Sequence, residues 1–182
     1  MDDYRYQALR TLTRARFDVI QNLTREKQRF ANYLFLKCSG IAQEKDIQNT
    51  SATTIVLMEH FETVDDLANA DLDDLTDFIA QAGRGRFVDP DTTARVVRAA
   101  AKGSYRLPKA VTDTVNQTMS VSIASMWALK EQVKVLDKAI EQQFEVILNT
   151  LTSVPDISKV YSAGTSLCYQ VCRSCLAQRP VR

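Results

Sequence analysis

The side chains in this sequence that could do chemistry are three crowded cysteines, one histidine, a run of carboxylates and two clusters of arginine. Cys168, Cys172 and Cys175 have C-x3-C-x2-C spacing, which puts three thiols on one face of a helix. A structural zinc site takes four ligands in paired spacing, and no fourth lies near them. The only histidine, His60, sits between Glu59 and Phe61 and reads as a surface residue rather than a catalytic one. Carboxylate clusters hold divalent metal in nucleases, and Asp65, Asp66, Asp71, Asp73, Asp74 and Asp77 form such a cluster. They fall in the first turns of predicted helices, however, where the helix dipole favours negative charge, and this makes them structural. There is no glycine-rich phosphate loop, no G-x-S-x-G and no Ser-His-Asp set. The sequence therefore predicts no metal site, no cofactor and no catalytic residue in this chain.

The arginines are more informative. A formal net charge of +1 conceals segregation by sign. Residues 1–38 carry Arg5, Arg10, Arg14, Arg16, Arg25, Lys27, Arg29 and Lys37 against Asp2, Asp3, Asp18 and Glu26. From Glu44 to Asp77 there are ten acids and, as the only Lys or Arg, Lys45; residues 84–109 are basic again. Arg10 with Arg14 and Arg25 with Arg29 are i, i+4 pairs, with Arg16 and Lys27 beside them, a ladder suited to tracking phosphates and equally readable as a solvated face. In Gly83-Arg84-Gly85-Arg86-Phe87, two arginines and an aromatic ring can meet phosphate and base together. The candidate nucleic-acid-binding residues are thus Arg10, Arg14, Arg16, Arg25, Lys27, Arg29, Arg84 and Arg86.

Helices must position these groups. Pro108 to Leu151 has no internal proline or glycine, so nothing interrupts an i to i−4 hydrogen-bond ladder there. Met119, Met126, Leu129, Val133, Leu136, Ile140, Ile147 and Leu151 form an apolar seam along it, flanked by Lys130, Glu131, Lys134, Asp137, Lys138, Glu141 and Glu145 as in a coiled-coil arm. Pro108 is expected as its first helical position after a bend at Leu107. A second long helix runs from Tyr4 to about Lys37, with Gly40 expected to end it. Residues 41–51 read as a polar linker or loop. Short helices follow, begun by a capping-box-like Thr63 to Asp66 and by Asp71, stopped at Gly83, restarted by Asp89-Pro90 and stopped at Gly103. A last helix is expected after Leu151, capped by Ser153 or Asp156 and passing Val160 and Ala163.

A chain of 182 residues, 45% hydrophobic and 25% charged, is long enough for one core or for a small helical domain with an extended arm. Five glycines and four prolines are too few for a turn-rich β protein. The expected fold is all-α, a helical domain with a long coiled-coil arm and no substantial sheet. There is no signal-like N-terminus and no apolar run near the roughly 18 residues of a membrane span, so the expected location is cytoplasmic with no membrane partner.

The strings Tyr6-Gln7-Ala8-Leu9-Arg10-Thr11-Leu12-Thr13-Arg14-Ala15-Arg16, Leu23-Thr24-Arg25-Glu26-Lys27 and Asn32-Tyr33-Leu34 look like the "ALR-LTR-R" helix of insertion-sequence-110 family transposases. The resemblance continues through Gly83 to Phe87, through Ser104-Tyr105-Arg106-Leu107-Pro108 and the long helix. It reaches Leu151-Thr152-Ser153-Val154-Pro155, which resembles the "L-x-S-I-P-G-I-G" opening of the family's C-terminal domain. It implies a DNA recombinase family with a metal-binding RuvC-like domain, a coiled-coil arm and a C-terminal domain carrying a nucleophilic serine, guided by a structured RNA. This chain matches the middle of that plan, so no catalytic residue carries over, and the divalent metal, such as magnesium, belongs to the full-length family. Two departures stand out. Pro155-Asp156-Ile157-Ser158 replaces the "P-G-I-G" glycines, and Thr165 to Arg182 matches nothing in the family, as a frameshifted tail would.

Four segments are expected from this: 1–40, a long basic helix at the tail of a RuvC-like domain; 41–107, a short-helix subdomain; 108–151, the arm; and 152–182, the start of the C-terminal domain. The expected function is that of a truncated transposase fragment that binds DNA, with structured guide RNA as a further partner. Homo-oligomerisation is expected through Met126, Leu129, Val133, Leu136, Ile140 and Ile147. The alternative is a non-enzymatic coiled-coil scaffold.

Overall fold

Start and stop signals for helices recur along this chain, and a computed structural model follows nearly all of them. It describes residues 4–45, 47–84 and 89–145. Ile147, Leu151, the Pro155–Ser158 turn, Cys168, Cys172, Cys175 and the whole 152–182 segment lie outside the described residues, as do Arg86 and Phe87. The elements are α1 (Tyr4–Lys37), α2 (Ser39–Gln43), α3 (Ala52–His60), α4 (Val64–Asn69), α5 (Leu72–Gly83), α6 (Pro90–Lys102) and α7 (Lys109–Glu145). The described residues form an all-α fold with no strand. None of their helices is long and apolar enough to cross a membrane.

The caps are where the carboxylates and hydroxyls go. Thr63 accepts from the Asp66 amide while Asp66 accepts from the Thr63 amide, a reciprocal box that satisfies two orphan donors of α4. Asp71 accepts from the amides of Asp73 and Asp74, and Asp89 from that of Thr92 ahead of Pro90. Hydrogen bonds from Thr92, first its hydroxyl and then its amide, hold the Asp89 carboxyl below the usual range.

Three boundaries differ from the sequence expectation. α1 stops at Lys37, and Gly40 lies inside α2 instead of ending α1. A Cβ on Gly40 would stand 2.0 Å from the Ala100 carbonyl oxygen, so this glycine serves a close crossing of α2 over α6. Residues 41–43, expected in a loop, finish that helix, and Ile41 is fully buried. α7 begins at Lys109, with the Pro108 carbonyl accepting from Val111 and Thr112, so the proline stands just before the helix rather than in it.

The chain divides into two compact units, and the division falls within α1 and within α7. One unit comprises residues 24–127. In it α6 packs on α2, α4 and α5, and α3 packs on α5. The buried face of α6 is Ala94, Val97 and Ala101, small side chains one turn apart that let its neighbours approach closely. Phe30, Leu34, Ile55, Leu67, Leu75, Ile79, Met119, Ile123 and Met126 fill the rest of this core. Ser122 of α7 donates to Glu26 of α1 at 3.2 Å.

The second unit holds residues 1–23 and 128–182. Leu9, Ile140 and Phe144 are its buried apolar side chains among the described residues, and Arg16 of α1 ion-pairs with Asp137 of α7. In each unit, then, α7 is bonded to α1. The predicted seam is already partly covered by the chain itself: Met126 and Ile140 are buried, and Leu129, Val133 and Leu136 are half-buried.

Candidate nucleic-acid interface

Helical geometry places residues three, four and seven apart on one face, and in the unit of residues 1–23 and 128–182 this face of α1 is basic and aromatic. Arg10 and Arg14, one turn apart, are exposed and have no carboxylate partner among the described residues. Phe17 follows one turn later and is 61% exposed. Thr13, Arg14, Phe17 and Asp18 line a shallow surface groove. The Thr13 hydroxyl is turned to the Leu9 and Arg10 carbonyls, leaving Arg14 and Phe17 as the groove's attractive groups for a nucleotide. Asp18 opposes a polyanion there. Arg16, counted with the others from sequence, lies off this face and is committed to Asp137.

In the unit of residues 24–127 the candidates differ in availability. Arg25 is exposed and engaged in an interaction of its own, and Lys27 is half-buried with no carboxylate partner among the described residues. Arg29 pairs with Glu26 one turn back; Arg29 is 63% exposed and Glu26 16%, so the guanidinium faces solvent while its partner carboxylate is largely covered. Arg84 ends α5 in the left-handed region at φ 50°, exposed and without a side-chain partner. Two further bases, Arg98 and Lys102, stand one turn apart on α6, with no carboxylate partner among the described residues. Their i, i+4 spacing is as clear in the sequence as that of Arg10 and Arg14. Phe17 was missed because a phenylalanine on an amphipathic helix is ordinarily core.

Arg95 and Arg106 are used structurally. Arg95 pairs with Asp91 at 2.9 Å, and Arg106 reaches Asp65 at 2.8 Å and the Ala101 carbonyl at 2.9 Å. In the acidic run Asp65 is in an ion pair, Asp66 and Asp71 are in caps, and Asp73 and Asp74 lie in the first turn of α5. No group of His, Cys, Asp and Glu among the described residues could hold a metal ion. His60 is exposed and packs its ring 4.6 Å from Phe78 and edge-on to Phe61 at 4.9 Å.

Among the described residues Lys37 is the one buried amine, only 6% exposed. Its Nζ donates to the Met58 carbonyl at 2.9 Å and the Phe61 carbonyl at 2.7 Å, closing the C-terminal end of α3. Burial pushes its pKa from 10.5 down to about 8, while Cys38, Glu62 and Asp66 pull it partly back. An amine with that pKa is nucleophilic in other settings, but this one is spent on two carbonyls.

One cleft in the same unit is different in kind. It has a volume of about 420 Å³ and is walled by Val56, Ile79, Val97 and Trp127, with Gln48 and Arg84 among its polar groups. No carboxylate lines it.

Comparison with protein-family models, curated proteins and solved structures finds no match to this chain.

Proposed function

We propose that this chain binds nucleic acid through the exposed faces of its basic helices and contributes no bond-breaking group of its own. That is the role implied by its resemblance to insertion-sequence-110 transposases: nucleic-acid binding in DNA transposition, with DNA and structured guide RNA as the partners. The observation that supports it best is the Arg10, Arg14 and Phe17 face of α1. Two unpaired guanidinium groups at helical spacing meet phosphates, and an exposed ring one turn on offers a base a surface to stack on. Charge contact of this kind is paid for by counterion release, so binding falls steeply with salt.

The alternative, a helical scaffold that recruits a protein, is favoured by Phe35 and Leu36. These adjacent large apolar residues on α1 are 50% and 47% exposed. Assembly through the α7 seam would require Met126 and Ile140 to leave their present cover, which argues for Phe35 and Leu36 as the scaffold surface. Gel retardation of single-stranded DNA, duplex DNA and a stem-loop RNA separates the two readings. Retardation at low salt that disappears as salt rises is expected for the nucleic-acid reading; unchanged mobility at low salt decides for the scaffold.

A further inference from the structure

The cleft between α3, α5, α6 and α7 combines features that the basic helices do not explain. Its apolar walls are aliphatic apart from the Trp127 indole, which is 41% exposed, and Gln48, Ser51, Thr53, Thr54, Thr93 and Arg84 add polar groups to the lining. The hydroxyls of Ser51 and Thr54 in its lining bond each other at 2.9 Å and that of Thr93 donates to the Asp89 carbonyl, so a guest with polar edges meets the Gln48 amide and the Thr53 hydroxyl. Arg84 is the sole charged side chain of the lining. It occupies a left-handed position that glycine or asparagine would take at lower cost, and its guanidinium has no partner among the described residues. By contrast, the cleft beside Lys37 is lined by Glu62, Asp65, Asp113, Arg106 and Lys109, charges of both signs that compensate one another.

We infer that the Trp127 and Arg84 cleft receives one unstacked base of a nucleic-acid strand, with Arg84 on the adjoining phosphate. A planar ring with polar edges and one neighbouring negative charge matches an apolar slot that holds an indole, an amide, a single cation and no carboxylate. A base locked in a duplex cannot enter, so the cleft selects single strands or unpaired loops. This deepens the nucleic-acid reading above and rests on it.

Trp127 is the only tryptophan in the chain, so emission excited selectively in the indole, and not in the six tyrosines, reports on this cleft alone. The experiment titrates the full chain with an oligothymidylate strand and, separately, with a blunt duplex, following both emission and gel retardation. Saturable quenching by the strand is expected, with retardation but no quenching by the duplex. Arg84→Gly is expected to weaken the quenching roughly tenfold, the loss of one charge-assisted contact, while melting at the same or a higher temperature, because glycine takes the left-handed position freely. Retardation by the strand with unchanged Trp127 emission overturns this inference and leaves the nucleic-acid reading standing. Quenching that Arg84→Gly does not weaken overturns the role of Arg84. If no nucleic acid is retarded, the underlying reading itself fails.

Discussion

Arg16 on α1 and Asp137 on α7 form an ion pair in which both side chains are about one quarter to one third exposed, at 26% and 32%. The pair engages Arg16, which lies off the face that Arg10 and Arg14 present, and it ties the two long helices together where they share a unit. Arginines that look equivalent in the sequence therefore have different duties. Arg16→Ala is expected to lower stability by about 0.5–1 kcal/mol, the range of a partly solvated pair, and to leave nucleic-acid affinity nearly unchanged. Denaturant unfolding of Arg16→Ala, Asp137→Ala and the double variant checks this. Additive losses in that cycle would show that the two side chains do not interact.

Phe17 should matter to single strands and not to duplexes. Phe17→Ala removes an exposed ring, so its fold should keep its melting temperature. Its affinity for a single strand should fall by the value of one stacked base, about 1–3 kcal/mol. Anisotropy titrations with strand and duplex probes read the difference. Equal losses for both probes would mean that the ring merely shapes the helix surface.

Gly40 offers a test of the packing itself. Its amide donates to the Ser104 hydroxyl at 2.9 Å, and a Cβ there would meet the Ala100 carbonyl at 2.0 Å. Gly40→Ala must push α2 off α6, at a cost of about 1–3 kcal/mol. Thermal unfolding of that variant should show a clear drop in midpoint. An unshifted midpoint would mean that the crossing is looser than described.

Lys37 gives the chain a pH signature. Below about 8 its amine is charged in folded and unfolded chains alike, and the folded chain bears the full cost of burying that charge. Between about 8 and 10.5 the folded chain has released the proton while the unfolded chain still holds it, so stability rises with pH across this window and levels off above it. Lys37→Met, which has no proton to release, should lack this rise. Chemical unfolding of both proteins from pH 7 to pH 10 measures it, and parallel profiles would place the amine in water rather than in the core.

Legibility from sequence followed the range of the forces involved. Helix ends set by local hydrogen bonds, at Thr63, Asp71, Gly83, Asp89 and Gly103, are all where capping chemistry puts them. Gly40 was misread because its reason for being glycine is Ala100, a contact that no local pattern contains. The α7 seam was legible as an apolar stripe, while the burial of Met126 and Ile140 within the chain itself was not, since a 3.6-residue period says that a face is buried and not by what. At the candidate interface the spacing of Arg10 and Arg14 was visible. The engagement of Arg16 by Asp137 and the exposure of Phe17 depend on how α1 is rotated against its neighbours.

The central claim is that unpaired arginines on α1 meet phosphates, and the slope of binding against salt tests it most directly. The logarithm of the association constant for a single-stranded probe should fall linearly with the logarithm of salt concentration. In the Arg10→Ala, Arg14→Ala double variant the magnitude of that slope should shrink by about two contacts' worth of counterion release, with weaker binding at every salt concentration. A slope and affinity identical to those of the unmodified chain, with the fold intact, would contradict the account.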